Sequence, residues 1–396
     1  MTEWIECTLD KLGEIVGGAT PSTKCEDYYG GSIPWITPKD LSSFKGRYIT
    51  SGERNITEKG LASCSAQMMP KDAVLFTSRA PIGYVAIASQ SVCTNQGFKS
   101  IVVNEKADPL FVYYLLKYNK DAIEAMGSGT TFKEVSGKTM RAVKVRIPLD
   151  VSYQKRIAAV LDSLDTKIEN NERINDNLEQ QAQAIYHERF ETVSPNDLPS
   201  DWRIVTLGEV ATISNKSFNP LKEPEILLEH YSIPAFDEAR FPVFELSTSI
   251  KSNKFIIDAS CFMISKLNPT TKRVWKPYCL TGNAVCSTEF IVYKAKDQSI
   301  TDFLYSVIDS GSFSDFMCSH VTGSTGSRQR TTPSDTLSYE LILPSEDELA
   351  EFQSLVSPMY AQMRINAIEN DKLKRLRDSL LPKLMSGEID VSSVHL

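Results

Sequence analysis

The chain has 396 residues, of which 41% are hydrophobic, and a formal net charge of −7. This length predicts about two to three domains with packed cores, and the acidic balance excludes a protein that is positively charged over its whole surface. The first ten residues, MTEWIECTLD, do not resemble a secretory signal, and no apolar run approaches the length of a membrane span. We therefore expect a soluble, cytoplasmic protein.

Residues 1–148 and about 199–344 alternate β-branched or aromatic runs with Gly, Pro, Ser and Asn clusters, which is typical of strand-rich mixed structure. Short helices are predicted within them at residues 109–120 and 300–309. The resulting division is a first domain at 1–148, a first long helix at 149–192, a second domain at 193–344, and a second long helix with a C-terminal tail at 345–396.

The two domains carry the same short segments in the same order, at an offset of about 195 residues. This agreement predicts a duplicated unit. The matching pairs are WIECTL (4–9) with WRIVTL (202–207), CTNQGF (93–98) with CSTEF (286–290), GSGT (127–130) with GSTG (323–326), and VKVRIP (143–148) with YELILP (339–344).

Residues 153–190 contain no Gly or Pro, and their apolar side chains recur at steps of three and four. This spacing predicts one long helix with a coiled-coil seam, and residues 352–380 repeat it approximately. A helix of about 38 residues would be about 57 Å long, so we expect the two to pair as an antiparallel rod. The predicted seam is Ile157, Val160, Leu164, Ile168, Ile174, Leu178, Ala182 and Ile185 in the first helix, and Phe352, Leu355, Met359, Met363, Glu369, Leu373, Leu376, Arg377 and Leu380 in the second.

Asn171 and Asn366 fall at corresponding positions of the two helices. Two interpretations are open. The amides are buried and fix the register of the coiled coil, or both face water.

Residues 136–139 (SGKT) resemble the end of a nucleotide-binding loop, but Phe132 stands where that loop requires a glycine. Nucleotide hydrolysis at Lys138 is therefore the weaker interpretation, and a basic loop before the helix is the stronger. The eight cysteines form no Cys-x-x-Cys pair and no zinc-type spacing, which predicts reduced or buried thiols and no metal site.

Local positive charge is concentrated in a few segments despite the acidic total. Residues 266–276 (KLNPTTKRVWK) hold four cations and no acid, and further cations crowd residues 133–146. Lys and Arg neutralise phosphates, and Arg on a loop can also read base edges. The candidate DNA-binding residues are Lys39, Arg79, Lys99, Lys133, Lys138, Arg141, Lys266, Lys272, Arg273, Lys276, Arg328 and Arg330.

Several motifs resemble those of the specificity subunits of type I restriction-modification systems, and the resemblance spans nearly the whole chain. Its most characteristic segments are TPS (20–22), GGSIPWITPKDL (30–41), SRAPIG (78–83), TNQGF (94–98), QKRI (154–157) and LPSDW (198–202). The second domain departs from the pattern, because it lacks an obvious counterpart of GGxIPW and has SKLN (265–268) in place of SRAP.

The resemblance implies an α+β fold: two target-recognition domains separated by two long helices that form an antiparallel coiled coil, with an internal pseudo-two-fold repeat. It implies a non-catalytic chain of a bacterial or archaeal defence system. Modification subunits, of which the duplication suggests two copies, would methylate adenine with S-adenosylmethionine, and restriction subunits would use ATP and Mg²⁺ to translocate and cut DNA.

The sequence therefore predicts a DNA-recognition subunit that reads an asymmetric, bipartite site in double-stranded DNA. It carries no Walker motif and no Asn-Pro-Pro-aromatic or Asp-Pro-Pro-aromatic motif of an adenine methyltransferase. The alternative is a coiled-coil scaffold that joins two protein-binding domains and has no affinity for DNA.

Overall fold

A computed structural model describes residues 3–129, 133–194, 196–322 and 329–394. Its internal contacts divide the chain into two units. Unit 1 comprises Met1–Glu169 and Lys372–Leu396, and unit 2 comprises Asn170–Asp371. Each unit therefore contains one strand-rich domain together with parts of both long helices.

The described residues of the first domain and the helix after it form ten strands and six α-helices, and the last helix continues into unit 2. The strands are β1 (Trp4–Thr8), β2 (Gly13–Gly17), β3 (Tyr29–Ile36), β4 (Tyr48–Ile49), β5 (Asn55–Ile56), β6 (Val74–Ser78), β7 (Ile82–Ala88), β8 (Cys93–Thr94), β9 (Lys99–Val103) and β10 (Lys144–Pro148). The helices are α1 (Pro38–Ser42), α2 (Glu58–Ala62), α3 (Pro109–Tyr118), α4 (Lys120–Ala125), α5 (Gly137–Ala142) and α6 (Val151–Tyr186), and α6 runs into a π-helical turn at His187–Glu191.

Unit 2 adds the following elements. Its strands are β11 (Arg203–Thr206), β12 (Ala211–Ile213), β13 (Ser217–Phe218), β14 (Leu227–Tyr231), β15 (Val243–Leu246), β16 (Lys254–Ile256), β17 (Cys261–Ser265), β18 (Val274–Trp275), β19 (Ala284–Ser287), β20 (Phe290–Ala295), β21 (Val321–Thr322), β22 (Arg330–Thr331) and β23 (Glu340–Leu343). Its helices are α7 (Leu207–Val210), α8 (Ile233–Ala239), α9 (Thr301–Ile308), α10 (Gly311–Ser319) and α11 (Glu346–Ser386), and α11 ends in unit 1.

The two domains repeat one strand arrangement, which confirms the predicted duplication. The main sheet of unit 1 has the order β2-β9-β6-β7-β4, and that of unit 2 has the order β12-β20-β17-β18. In both units the first strand pairs antiparallel with the strand before the long helix, β1 with β10 and β11 with β23. The matching cysteine segments pair parallel with equivalent strands, β8 with β3 and β19 with β14.

The second domain is more elaborate around β14. In unit 1, β3 lies in a three-stranded sheet with the order β5-β3-β8, whereas β14 lies in a five-stranded sheet with the order β13-β16-β19-β14-β15. In both domains this strand is nevertheless followed by a helix, α1 after β3 and α8 after β14. Thr37 and Ser232 accept backbone hydrogen bonds at the starts of α1 and α8, and each helix has a proline in its first turn.

The long helices pack antiparallel within each unit. In unit 1, Arg377 Nη1 of α11 lies 2.7 Å from Asp165 Oδ1 of α6. In unit 2, Asn171 Nδ2 donates to Asn370 Oδ1 at 2.8 Å, and Asn366 Nδ2 donates to Asn175 Oδ1 at 2.8 Å. The contacts move toward the start of α11 as they move toward the end of α6, so the two helices run in opposite directions.

Asn171 and Asn366 are both buried, which confirms the first of the two interpretations left open by the sequence. They do not pair with each other. Asn171 pairs with Asn370, which lies four residues after Asn366 in α11. Asn366 pairs with Asn175, which lies four residues after Asn171 in α6. The two amide pairs are related by the internal repeat. A buried amide is costly without a partner and therefore penalises a shifted register.

Part of the predicted seam is wrong. Ile174, Leu355 and Leu376 are exposed by 44%, 41% and 46%. The error arises because an approximate repeat of three and four fits more than one stripe of a helix, and only packing selects the buried one. In α11 the buried apolar residues of unit 2 are Leu349, Phe352, Val356 and Tyr360.

Candidate nucleic-acid interface

In the first domain, two predicted cations meet at one carboxylate. Arg79 follows β6, and Lys99 opens β9. The amide of Ser78 donates to the carbonyl of Gly97 at 2.7 Å, which brings the two segments together. Glu134 lies between them, with Arg79 Nη1 at 3.4 Å and Lys99 Nζ at 3.6 Å from its carboxylate oxygens.

The loop that carries Glu134 is fixed by backbone hydrogen bonds. Ser128 and Glu134 exchange two of them, at 3.0 and 2.9 Å. The amide of Val135 donates to the carbonyl of Ser78 at 3.0 Å, so this loop is attached to the end of β6. Glu134 therefore has a defined position beside Arg79.

The SGKT segment begins helix α5 and is not a phosphate-binding loop. Ser136 Oγ accepts the amide of Thr139 at 3.0 Å, as an N-cap does. The basic loop predicted here is thus a short helix. Lys133 and Lys138 are exposed on either side of its start.

Arg141 belongs to the same neighbourhood as Lys99. A Cβ placed on Gly137 would lie 3.4 Å from Arg141 Nη1 and 3.8 Å from Lys99 Cδ. Arg141 also donates to the carbonyl of Ile15 at 3.4 Å. Arg141 therefore lies near Lys99, whereas the cations that contact Glu134 are Arg79 and Lys99.

Lys39 has a different partner. It lies on α1, and its Nζ is 2.7 Å from Glu53 Oε2, with both side chains largely exposed. The hydrogen bond that Lys39 donates to the Glu53 carboxylate raises the pKa of Lys39. Pro38 approaches the turn at Gly97, since a Cβ there would lie 2.7 Å from the proline ring. α1 is therefore adjacent to the turn that contacts Ser78.

The second domain builds an equivalent loop with different side chains. The amide of Lys266 donates to the carbonyl of Glu289 at 2.9 Å, and that of Thr331 donates to the carbonyl of Lys266 at 3.1 Å. These bonds match those of Ser78 with Gly97 and Val135. Arg330 then occupies the place of Glu134, and it forms two hydrogen bonds with Glu289, at 3.0 and 2.9 Å.

The other cations of residues 266–276 are paired with acids of their own domain. Lys272 Nζ lies 2.8 Å from the buried Asp309, and Arg273 forms a bidentate pair with Asp237 at 2.6 and 2.9 Å. Lys276 pairs with Asp302. Arg328 lies outside the described residues.

Comparisons with known proteins show which family the chain belongs to. The type I restriction modification DNA specificity domain matches residues 1–180. The type I restriction enzyme MjaIX specificity subunit of Methanocaldococcus jannaschii is 32% identical over 99% of this chain and 95% of its own length. The chain belongs to the type I restriction-modification specificity subunits.

Other relatives of this specificity subunit match less of it. The EcoR124I/EcoR124II specificity subunit of Escherichia coli is 29% identical over 40% of each chain. A crystal structure of the S subunit from M. genitalium covers 97% of this chain and 96% of that one, with 16% identity and a TM-score of 0.60. That likeness supports the fold.

The acids that hold these cations were missed by sequence reasoning. Glu134 was visible only as the single acid in a basic segment, and no sequence signal connects Glu289 to Arg330 or Asp309 to Lys272. The buried Glu229 of β14 was also missed. Its carboxylate accepts Tyr231 Oη at 2.5 Å and the amides of Leu280 and Thr281 at 3.0 and 2.8 Å.

Three other features of the specificity subunit bear on its chemistry. All eight cysteines are free thiols, and burial raises the pKa of Cys93 to about 12. Within the described ranges, no group of three His, Cys, Asp or Glu side chains could hold a metal ion. In the same part of the chain, no helix has the length and apolar character needed to cross a bilayer.

Proposed function

We propose that this specificity subunit is a non-catalytic DNA-recognition chain that reads an asymmetric, bipartite target in double-stranded DNA. The observation that carries the proposal is the pair of equivalent loops, held by matching backbone bonds but lined by different charged groups. Two similar domains with unlike loops would read two unlike half-sites. The relatives named above are specificity subunits, which agrees with this role.

We further propose that α6 and α11 act as a spacer between the two half-sites. Because the helices pair antiparallel, a change of length must be made in both. Insertion of one heptad in each would add roughly 10 Å, at about 1.5 Å per residue, which is about three base pairs of duplex. The unread gap should lengthen by that amount, and both half-sites should remain. An unchanged gap would contradict the spacer.

Catalysis is assigned to partners in this proposal. Modification subunits, in two copies, would dock on the duplicated body and methylate adenine with S-adenosylmethionine. Restriction subunits would use ATP and Mg²⁺. No step is assigned to a side chain of this chain.

The decisive experiment is co-expression with the neighbouring modification subunit in a host without methylation, followed by mapping of methylated adenines across the genome. We expect one bipartite motif with two different halves. Deletion of this chain should abolish the motif. Methylation that continues without the chain would contradict the proposal.

A scaffold that binds proteins through both domains remains the second candidate. The pairing of Lys272, Arg273 and Lys276 with acids favours it, because paired cations attract a duplex less strongly. It predicts that the purified complex does not bind duplex DNA at any salt concentration. Fluorescence anisotropy with the mapped motif distinguishes the two candidates.

A further inference from the structure

The carboxylate of Glu134 lies where an anion between Arg79 and Lys99 would lie. The two cations come from different segments, the end of β6 and the start of β9, and both point at this one acid, at 3.4 and 3.6 Å. Arg donates to carboxylate and phosphate oxygens in the same way. The first domain therefore contains a site with phosphate-type chemistry that one of its own side chains fills.

Arg79 and Glu134 are partly exposed to an incoming ligand, and Lys99 is largely buried. The exposed fractions are 34% for Arg79, 39% for Glu134 and 16% for Lys99. Ion pairs that are partly exposed are weak, because water and salt screen them. A phosphate group could displace the carboxylate without unfolding the domain.

The position of Glu134 is set by the backbone and not by the cations alone. The backbone of Ser128 exchanges two hydrogen bonds with that of Glu134, and the carbonyl of Ser78 accepts the amide of Val135, so the acid stays near the site after its ion pairs break. It would then lie close to a bound phosphate and repel it. Its effect is therefore present both before and after DNA binds.

We propose that Glu134 is an internal competitor for DNA phosphate, which holds Arg79 and Lys99 in the free chain and lowers the affinity for random duplex DNA. At the correct target, base contacts made elsewhere in the complex compensate for the lost ion pairs. On random DNA they do not. Glu134 is thus a positioning residue that increases specificity, and this inference rests on the proposed function.

The second domain supports the assignment by contrast. Arg330 occupies the equivalent loop position, and its acid, Glu289, belongs to the turn before β20. The hydrogen bond from Arg330 lowers the pKa of Glu289. There the loop itself contributes the cation, so the competitor role of a loop acid is specific to the first domain.

The test compares Glu134→Gln with a matched control in the complete complex with its modification subunits. The control is Glu6→Gln, which removes one acid from an exposed pair with Lys144 on β1 and β10, at 3.2 Å. Binding to the mapped target and to a scrambled duplex is measured by fluorescence anisotropy between about 50 and 200 mM salt. Thermal unfolding of both variants checks that they are folded.

We expect Glu134→Gln to bind the scrambled duplex about three- to tenfold more tightly than the wild type. Its salt slope should steepen by about one to two, since each newly contacted phosphate contributes about 0.9. The target should gain less, so the ratio of the two affinities falls. In an Arg79→Gln background, the same change should steepen the slope by less, because one released cation is missing.

Equal effects of Glu134→Gln and Glu6→Gln on the scrambled duplex, with equal slopes, would overturn the inference. Loss of binding to both duplexes by Glu134→Gln would also overturn it and would make Glu134 a structural support of the site. A wild-type complex that binds neither duplex would instead contradict the proposed function, and this inference with it.

Discussion

The two recognition domains use the same strands but stabilise their charged loops in opposite ways. In the first, the loop contributes the acid Glu134 and the sheet contributes the cations Arg79 and Lys99. In the second, the loop contributes the cation Arg330 and the turn before β20 contributes the acid Glu289. Backbone hydrogen bonds are therefore retained between repeats, while the charges that they position are exchanged.

A second difference lies on the equivalent strands β3 and β14. With the paired cysteines as reference, Tyr231 occupies the place of Trp35. Trp35 Nε1 donates to the carbonyl of Ala19 at 3.0 Å. Tyr231 Oη instead donates to the buried Glu229, and it accepts the amides of residues 278 and 279. In the second domain, Tyr231 and Glu229 thus hold the loop at residues 278–281 by several hydrogen bonds. At the equivalent strand of the first domain, Trp35 holds Ala19 by one.

The attachment of each domain to α6 differs as well. Arg47 is buried and contacts Asp162, Thr166 and Glu169, at 2.9 to 3.1 Å. Arg240 forms a bidentate pair with Glu179, at 2.8 and 2.7 Å, and is about a third exposed. Each domain thus contacts α6 through an arginine that follows the helix after the equivalent strand, but the two arginines differ in how deeply they are buried.

The largest effect we predict comes from these two arginines. Arg47→Ala should lower the free energy of unfolding of unit 1 by about 3–5 kcal/mol, because it removes a buried guanidinium together with its contacts with Asp162, Thr166 and Glu169. Arg240→Ala should cost only about 1–2 kcal/mol, since about a third of the Arg240 side chain is exposed and water already screens its pair with Glu179. Hydrogen exchange along α6 during urea titration locates each loss. Equal losses would show that burial does not separate the two contacts.

The next effect concerns pH and only the second domain. Burial raises the pKa of Asp309 to about 6, and the nearby Lys272 offsets this only in part. Between about pH 4 and 6 the folded chain binds a proton that the unfolded chain lacks. The stabilisation is therefore present below about pH 4 and is lost as the pH rises through about 6.

Asp309→Asn should remove this dependence. The variant should gain stability relative to the wild type as the pH rises from about 4 to 7, by up to roughly 3 kcal/mol at about 1.4 kcal/mol per pKa unit. Urea midpoints at both ends of this range measure it. Asp237→Asn, at the half-exposed acid that pairs with Arg273, is the control. A stability difference between Asp309→Asn and the wild type that does not vary with pH would contradict the prediction.

Much of the fold could be predicted from the sequence because it repeats. Segments of the first and last strands of each domain recur with their spacing. The segment that forms α6 contains no Gly or Pro. The equivalent positions of Asn171 and Asn366 were also visible in the sequence, although only the structure decides that both are buried. These features depend on local pattern, which a single sequence contains.

The charged contacts could not be predicted, because they depend on side chains distant in sequence. Lys272 and Lys276 appeared as free cations in a segment without acids, yet α9 and the residue after it supply Asp302 and Asp309. The counterpart of GGxIPW was missed for a similar reason. β14 keeps the strand and the helix that follows, but it replaces the glycines and the tryptophan.

A smaller effect is expected at Glu229, which has Ile33 in the equivalent place of the first domain. Glu229→Gln keeps the size of the side chain but removes the charge that accepts the amides of Leu280 and Thr281. Hydrogen bonds to a charged acceptor are worth roughly 1.5–3 kcal/mol, so we expect a loss of about 2 kcal/mol in urea unfolding. The exposed Glu225 provides the control, Glu225→Gln. A loss no larger than the control's would mean that the loop does not depend on the charge.

The smallest effect should separate the exposed cations from the paired ones. Lys133, before α5, and Lys138, in its first turn, are exposed, whereas Lys272 is paired with Asp309. Lys133→Ala with Lys138→Ala should flatten the salt slope of DNA binding by about one to two and weaken all duplexes alike, since phosphate contacts carry no sequence information. Lys272→Ala should leave the slope nearly unchanged, because its ammonium group already has an acid within the domain. If Lys272→Ala flattened the slope and the double variant did not, the phosphate contacts would lie in the second domain. DNA binding would then break the ion pair between Lys272 and Asp309.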